Sequence, residues 1–272
     1  MREESLESET AEAARRARTA GGSALDALLH HRSREVLEAL LANPRLSEKH
    51  LGVLLSRRDL AREIVGRIAE NRDWMKSHPL KLAVVRHPKT PRHLALPLLK
   101  FLYLFDLMSV AASPGVPVEL KRQAEELILT QREGLTLGQR LSLARQGSHR
   151  IAAGLLGDAD RRVIEAALAN PAMTEHAIVQ ALFDRRPSPE LAPVLVKDER
   201  WFARHGVKLA LLRGRHLSLG RVMAILPELA REDVKDLAED ARVRAEIRAY
   251  VARMLRARGG RKQKKLCQGD TT

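Results

Sequence analysis

Apolar residues recur three and four positions apart through most of the chain, as in the run from Val36 to Leu41. This spacing is typical of amphipathic α-helices. Period-two runs of β-branched or aromatic residues, which would indicate strands, are missing. Turns such as Asn43-Pro44 end the helices, because the residue before a proline avoids the helical region. The pattern predicts helices over residues 9–19, 23–30, 33–42, 47–56, 60–70, 78–86, 91–107 and 117–130, with Ser47 as the N-cap of the fourth.

The same pattern returns later in the chain at a constant offset of 127 in residue number, the difference between Val163 and Val36. We call two residues separated by this offset matched positions. The segment Val36–Pro44 (VLEALLANP) resembles Val163–Pro171 (VIEAALANP), and without any gap 17 positions from Val36 to Arg86 are identical to their matched positions. Both tryptophans of the protein, Trp74 and Trp201, are matched. The sequence therefore predicts two tandem copies of one unit with a period of ~127.

Each predicted helix is short, and no pair of them could bury its apolar face alone, so the pairs must stack on one another. The predicted fold is an all-α solenoid. We expect a partly disordered acidic segment with the first helix over 1–20, the first copy over 21–130 and the second copy, continuous with the first, over 131–257. A disordered basic tail is expected over 258–272.

Three segments of the chain resemble a known class of repeat. Asp158–Thr174 (DADRRVIEAALANPAMT), Arg86–Pro91 (RHPKTP) and Asn43–Ser47 (NPRLS) resemble the leucine-rich-repeat-variant and HEAT-like repeats of bacterial proteins. The resemblance implies a curved stack of antiparallel helices with a concave binding surface. It implies no particular function, because such stacks support many unrelated roles.

The two copies differ in one apolar segment. Phe101–Met108 (FLYLFDLM) is matched by Glu228–Lys235 (ELAREDVK), which is mostly polar. Because helices that are apolar all round are usually buried, we expect Phe101–Met108 to be a buried helix in the middle of the stack. The alternative is an exposed apolar groove for a helix of a partner.

Composition limits the cellular setting and the chemistry. The single cysteine, Cys267, excludes an internal disulfide, and the polar, acidic N-terminus predicts no secretory signal. The longest apolar stretch, Leu94–Ala112, contains a proline and two charges, so we expect no membrane span and a cytoplasmic protein. Common catalytic and metal-binding motifs are missing. We therefore expect no enzyme activity, no cofactor and no metal.

The net charge of +14 favours nucleic acid, an anionic membrane surface or an acidic protein partner. Part of this charge lies in the predicted tail, which could follow a phosphate backbone without sequence preference or serve only as a solubilising terminus. The basic residues of the tail are Arg256, Arg258, Arg261, Lys262, Lys264 and Lys265.

A matched set of aromatic and basic residues is the candidate binding surface. Arginine and lysine hold phosphates, and tryptophan stacks on a base or packs on a partner. The alternative is that each tryptophan fills core volume and the basic residues are merely solvated. The set comprises Trp74, His78, Lys81 and Arg86, with their matches Trp201, His205, Lys208 and Arg213.

Three functions follow as hypotheses. The first is a protein-binding scaffold that uses the concave surface of the solenoid. The second is a nucleic-acid binder that uses a basic face and the basic tail. The third and most remote is a HEAT-like DNA glycosylase, since Asp73-Trp74 and Glu199-Arg200-Trp201 combine the residue types of that class without a shared motif. The sequence indicates neither the identity of the partner nor the oligomeric state.

Overall fold

A computed structural model describes the backbone of residues 2–185, 187–214 and 217–267, with side chains from residue 8 to residue 256 inside these ranges. All regular secondary structure in these ranges is helical, which confirms the predicted all-α class. Clustering of contacts divides the chain into two compact units, residues 1–134 and 135–272. We call them the first and the second unit.

The described part of the first unit contains nine α-helices, and short 3-10 turns cover Trp74–Lys76 and Arg132–Gly134. Its core is formed mainly by leucine, isoleucine and valine side chains. The α-helices are α1 (Arg2–Ala17), α2 (Ser23–Leu28), α3 (Arg34–Leu41), α4 (Glu48–Ser56), α5 (Arg62–Glu70), α6 (His78–Arg86), α7 (Arg92–Leu99), α8 (Leu104–Ala112) and α9 (Val118–Thr130).

The second unit contains ten α-helices within the described ranges, and 3-10 turns cover Leu155–Gly157 and Leu226–Glu228. The α-helices are α10 (Leu137–Gln146), α11 (His149–Gly154), α12 (Arg161–Leu168), α13 (Glu175–Leu182), α14 (Leu191–Lys197), α15 (Glu199–Phe202), α16 (His205–Arg213), α17 (Leu219–Ile225), α18 (Arg231–Glu239) and α19 (Ala245–Cys267).

The two units share their internal spacing. Helices α3, α4, α6, α7, α8 and α9 begin at positions matched to the first residues of α12, α13, α16, α17, α18 and α19. Their pairings recur as well: α1 packs on α3 as α10 packs on α12, and α4 packs on α6 as α13 packs on α16. The sequence pattern thus produces the same local arrangement twice.

The segment predicted as one helix over 91–107 is two helices. α7 ends at Leu99, and α8 begins at Leu104 after a turn. Pro97 lies inside α7, where it lacks the N–H for a helical hydrogen bond and so weakens the end of this helix. Leu102, which is 8% exposed, anchors the turn in the core. The break orients the aromatic residues on either side of Leu102 differently from those of a continuous helix.

A buried asparagine joins the turn after α3 to the end of α1. The side-chain nitrogen of Asn43 donates to the carbonyl oxygens of Ala17 (2.8 Å) and Ala20 (2.9 Å), and its oxygen accepts from the N–H of Arg45. At the matched position, Asn170 makes the equivalent bonds to Ala144, Gly147 and Ala172. The Asn-Pro turn therefore fixes the C-terminal end of α1 as well as ending α3.

The last helix is longer than expected. α19 extends from Ala245 to Cys267, although a disordered tail was predicted from residue 258. Arginine, lysine, glutamine and leucine, which dominate this segment, are good helix formers. No helix in the described part of the chain is long and apolar enough to cross a membrane.

Candidate functional site

The first unit exposes three aromatic side chains next to one another in sequence. Phe101, Tyr103 and Phe105 are 61%, 70% and 57% exposed, and we call them the aromatic patch. Phe101 lies in the turn between α7 and α8, Tyr103 is the N-cap of α8, and Phe105 lies in its first turn. The expectation that Phe101–Met108 is a buried helix is therefore wrong for these three residues. They point outward because the turn directs Leu102 into the core instead.

Side chains of α6 hold one edge of the aromatic patch. The His78 ring lies 4.2 Å from the Tyr103 ring, centroid to centroid, and its Nε2 is 2.7 Å from an oxygen of Asp106. The Lys81 ammonium lies 5.3 Å from the centroid of Phe101, within cation–π range. His78 and Lys81 of the predicted surface are thus brought to the patch.

The second unit keeps the polar part of this arrangement without aromatic residues at the matched positions, and Lys208 lies 5.1 Å from the centroid of the Phe202 ring. His205 lies 3.3 Å from Asp233, matching His78 and Asp106. Lys208 lies 2.9 Å from Glu228, the residue that matches Phe101. Ala230 and Glu232 match the other two patch residues. The 3-10 turn that ends at Glu228 and the following helix α18 form with these small or charged residues, so the local fold does not require exposed aromatic side chains there.

The two tryptophans of the predicted surface occupy different environments. Trp201 is 4% exposed, and its indole N–H donates to the carbonyl oxygen of Leu168 (2.9 Å). Trp74 is half-buried against the core of the first unit, in a short 3-10 turn that precedes α6. Because α6 begins at His78, the continuous helix that would place Trp74 and His78 on one face does not form.

The arginines of the predicted surface differ as well. Arg86 is exposed at the end of α6. Its match, Arg213, lies 2.9 Å from Asp240, and a hydrogen bond from Arg242 is the main cause that lowers the pKa of this carboxyl to about 2. The position that matches Asp240 is Ser113, so Arg86 lacks this carboxylate.

One carboxylate considered for glycosylase chemistry, that of Asp73, is paired with a lysine. The Asp73 carboxylate accepts a hydrogen bond from Lys76 (2.7 Å), which lowers its pKa. No group of three or more metal-binding side chains occurs among the described residues. Of the predicted basic tail, Arg256 is exposed on α19; the side chains of the other five residues lie outside the described part of the chain.

His87, at the end of α6, has a structural position. Its Nδ1 accepts from the N–H of Lys89 (3.2 Å), so its Nε2 carries the proton and donates to the carbonyl oxygen of Arg57 (2.9 Å). Burial, the largest cause, lowers the pKa of this imidazole below its ordinary 6.5. The folded protein therefore holds His87 in its neutral form.

We expect His87 to make the first unit less stable in mild acid. Between the lowered folded pKa and 6.5 the unfolded chain binds more protons, so the free energy of unfolding falls as the pH drops below about 6.5. Urea unfolding at pH 7.5 and pH 5.5 measures this loss. His87→Gln should reduce the loss, and the exposed His93→Gln should leave it unchanged. Equal losses in both variants would contradict this role.

The chain matches no protein-family model, and it has no significant match among curated proteins or solved structures.

Proposed function

We propose that this chain is a non-catalytic α-solenoid protein, built by duplication of one unit, that binds a protein partner through the aromatic patch. The observation that carries the binding function is the exposure of Phe101, Tyr103 and Phe105 where the second unit has Glu228, Ala230 and Glu232. Exposed aromatic clusters are costly in water and are enriched at the centres of protein interfaces.

The duplication is supported by bonds as well as by helix bounds. Asn43 and Asn170 make equivalent hydrogen bonds to the helices before them, and the His78–Asp106 and His205–Asp233 pairs occupy matched positions. The proposed kinship with bacterial HEAT-like and leucine-rich-repeat-variant proteins rests on the Asn-Pro turns and on the succession of short helices. In such stacks, stability comes from contacts between neighbours, and surface residues are free to diverge.

A protein partner explains the aromatic patch better than self-association does. A second copy of this chain would bring another net charge of +14 towards the first, and like charges oppose association. We therefore expect the purified chain to be monomeric and the complex to contain a different protein.

The proposal is tested by the size of the native complex in cells that produce the protein. The tagged chain should elute from a size-exclusion column in a complex larger than its own 30.4 kDa, and this complex should persist after nuclease treatment. The variant Phe101→Glu/Tyr103→Ala/Phe105→Glu, which carries the residues of the second unit, should elute as the free chain. A complex that collapses with nuclease, or one that is unchanged in the variant, would contradict the proposal.

Nucleic-acid binding is the second candidate, favoured by one observation. Exposed aromatic rings beside lysine, as at Phe101 and Lys81, are also the elements on which single-stranded bases stack. If this candidate holds, a fluorescent single-stranded oligonucleotide should bind at physiological salt and lose affinity when Phe101 and Phe105 become glutamate. The protein-binding proposal predicts only weak binding that disappears at physiological salt and ignores these substitutions.

A further inference from the structure

An open groove runs between α4 and α6 in the first unit. It consists of one cavity of about 410 Å³ and one of about 260 Å³, which share Gly52 of α4 and Ala83 of α6 in their walls. Apolar groups such as Pro79, Leu80 and Leu55 line much of the remainder. The groove could therefore take apolar side chains of an extended or helical segment.

Gly52 keeps this groove open. It lies in the interior of α4, where glycine weakens a helix, and a Cβ atom built on it would meet no heavy atom within 4 Å. Gly66 of α5 differs, because it is buried and its Cβ would lie 3.8 Å from Pro91. No close packing thus requires glycine at position 52, and the space over it is open.

The matched residues of the second unit are larger. Val179 matches Gly52, and Phe183, which is 43% exposed, matches Ser56 in the wall of the groove. Helix α13 contains Val179 and ends next to Phe183, its C-cap, so larger side chains are compatible with the formation of this helix. The small residues of α4 are therefore a property of the first unit alone.

One end of the groove is positively charged. Arg58 and Arg86 both line the smaller cavity and are exposed, and neither forms an ion pair with another described residue. The counterpart of Arg86 is neutralised by Asp240, which Ser113 replaces here. The surrounding segment, residues 57–100, contains eleven arginine and lysine residues against four acidic ones. A negatively charged ligand is favoured at this end.

We propose that the α4–α6 groove binds an acidic segment of the protein partner, with an apolar side chain over Gly52 and a carboxylate between Arg58 and Arg86. Guanidinium groups suit a carboxylate because their donors match its two oxygens. A nucleic acid fits less well, because no phenylalanine, tyrosine or tryptophan among the described residues lines the groove for bases to stack on. This inference rests on the proposed function and names the chemistry of the partner.

The groove and the aromatic patch lie on different faces of α6. Pro79, Ala83 and Arg86 face the groove at spacings of four and three residues, whereas His78 and Lys81 contact the patch. A single partner segment that crosses α6 would contact both. The aromatic patch would then supply the anchor, and the groove would select acidic sequences.

The test is selection of a random displayed-peptide library on the full chain at physiological salt. Enriched peptides should carry an apolar residue with aspartate or glutamate within about four positions, one helical turn. A labelled peptide enriched in this selection should bind at least ~10-fold more weakly to Gly52→Val/Ser56→Phe and to Arg86→Glu. A loss of affinity of this size is typical of a lost anchor or charge pair. The exposed Arg72→Glu is the charge control. The inference would be overturned by enriched peptides that lack acidic residues or by a single-stranded oligonucleotide that competes for the groove. Unchanged peptide affinity in both groove variants would overturn it as well.

A second variant separates lost binding from lost folding. Gly52→Ala should raise the unfolding midpoint by about 2–4 °C, because alanine is the better helix former at an unpacked site. It should also weaken peptide binding, although less than Gly52→Val/Ser56→Phe does. A groove that fails these tests while the patch-dependent native complex persists would remove this inference and leave the proposed function intact. If no native complex that depends on the aromatic patch were found, both the proposed function and this inference would be removed.

Discussion

Replacing Asn43 with aspartate is expected to lower the free energy of unfolding by about 3–5 kcal/mol, the range for an uncompensated buried charge. The side chain is 4% exposed, and its nitrogen donates to the carbonyl oxygens of Ala17 and Ala20. Aspartate would lose both donors and direct a carboxylate oxygen at two carbonyl oxygens. Urea unfolding at pH 7.5, followed by circular dichroism, measures the change, and Asn170→Asp should behave alike.

Asn71 provides a control for this substitution. Its side-chain oxygen accepts from the N–H groups of Asp73 and Trp74, a function that a carboxylate can also perform. At the matched position, Asp198 accepts from the N–H of Trp201. We expect Asn71→Asp to change the free energy of unfolding by no more than about 0.5 kcal/mol. If Asn43→Asp were equally harmless, the bond between the Asn-Pro turn and α1 would not stabilise the unit as described.

Replacing the aromatic patch with the residues of the second unit is expected to weaken partner binding at least ~100-fold, because aromatic anchors at an interface often contribute about 2 kcal/mol or more each. The substitutions are Phe101→Glu, Tyr103→Ala and Phe105→Glu. The unfolding midpoint should change by only a few degrees, since all three side chains are more than half exposed. Calorimetric titration with the partner recovered from the native complex measures the affinity.

The control for this loss is an exposed aromatic residue in the other unit. Phe183 is 43% exposed on the second unit, so Phe183→Glu changes charge and apolar area without touching the patch. Its affinity for the partner should equal that of the original chain. Equal losses in both variants would indicate a general effect of charge and would contradict a specific role of Phe101, Tyr103 and Phe105.

Sequence patterns predicted the elements that depend on local chemistry. The starts of α4 and α13 follow Ser47 and Thr174, and Thr174 accepts a hydrogen bond from the N–H of Ala177 as an N-cap does. The break between α7 and α8 was missed, because an apolar run from 91 to 107 satisfies helical periodicity whether or not it is continuous. Only tertiary packing of Leu102 decides where that run turns.

The candidate site was predicted in part. His78 and Lys81 do come together at the patch, whereas Trp201 is committed to the core through its bond to Leu168. In the sequence, the aromatic patch is part of an apolar segment that differs between the copies, and the apolar character of this segment predicts a buried helix. Its exposure depends on the direction of a turn, which periodicity does not encode. Glutamate at two of the matched positions, Glu228 and Glu232, was the available signal that these sites face solvent.

The most direct test of the central claim is a photo-crosslinking amino acid placed at position 105 in the full chain. Position 232, the matched position in the second unit, serves as the control. After irradiation in cells that produce the protein, mass spectrometry identifies what is attached at each site. We expect one protein adduct at position 105, through a segment that combines apolar and acidic residues, and no such adduct at position 232. A nucleotide adduct, or equal adducts at both positions, would contradict a protein-binding surface in the first unit.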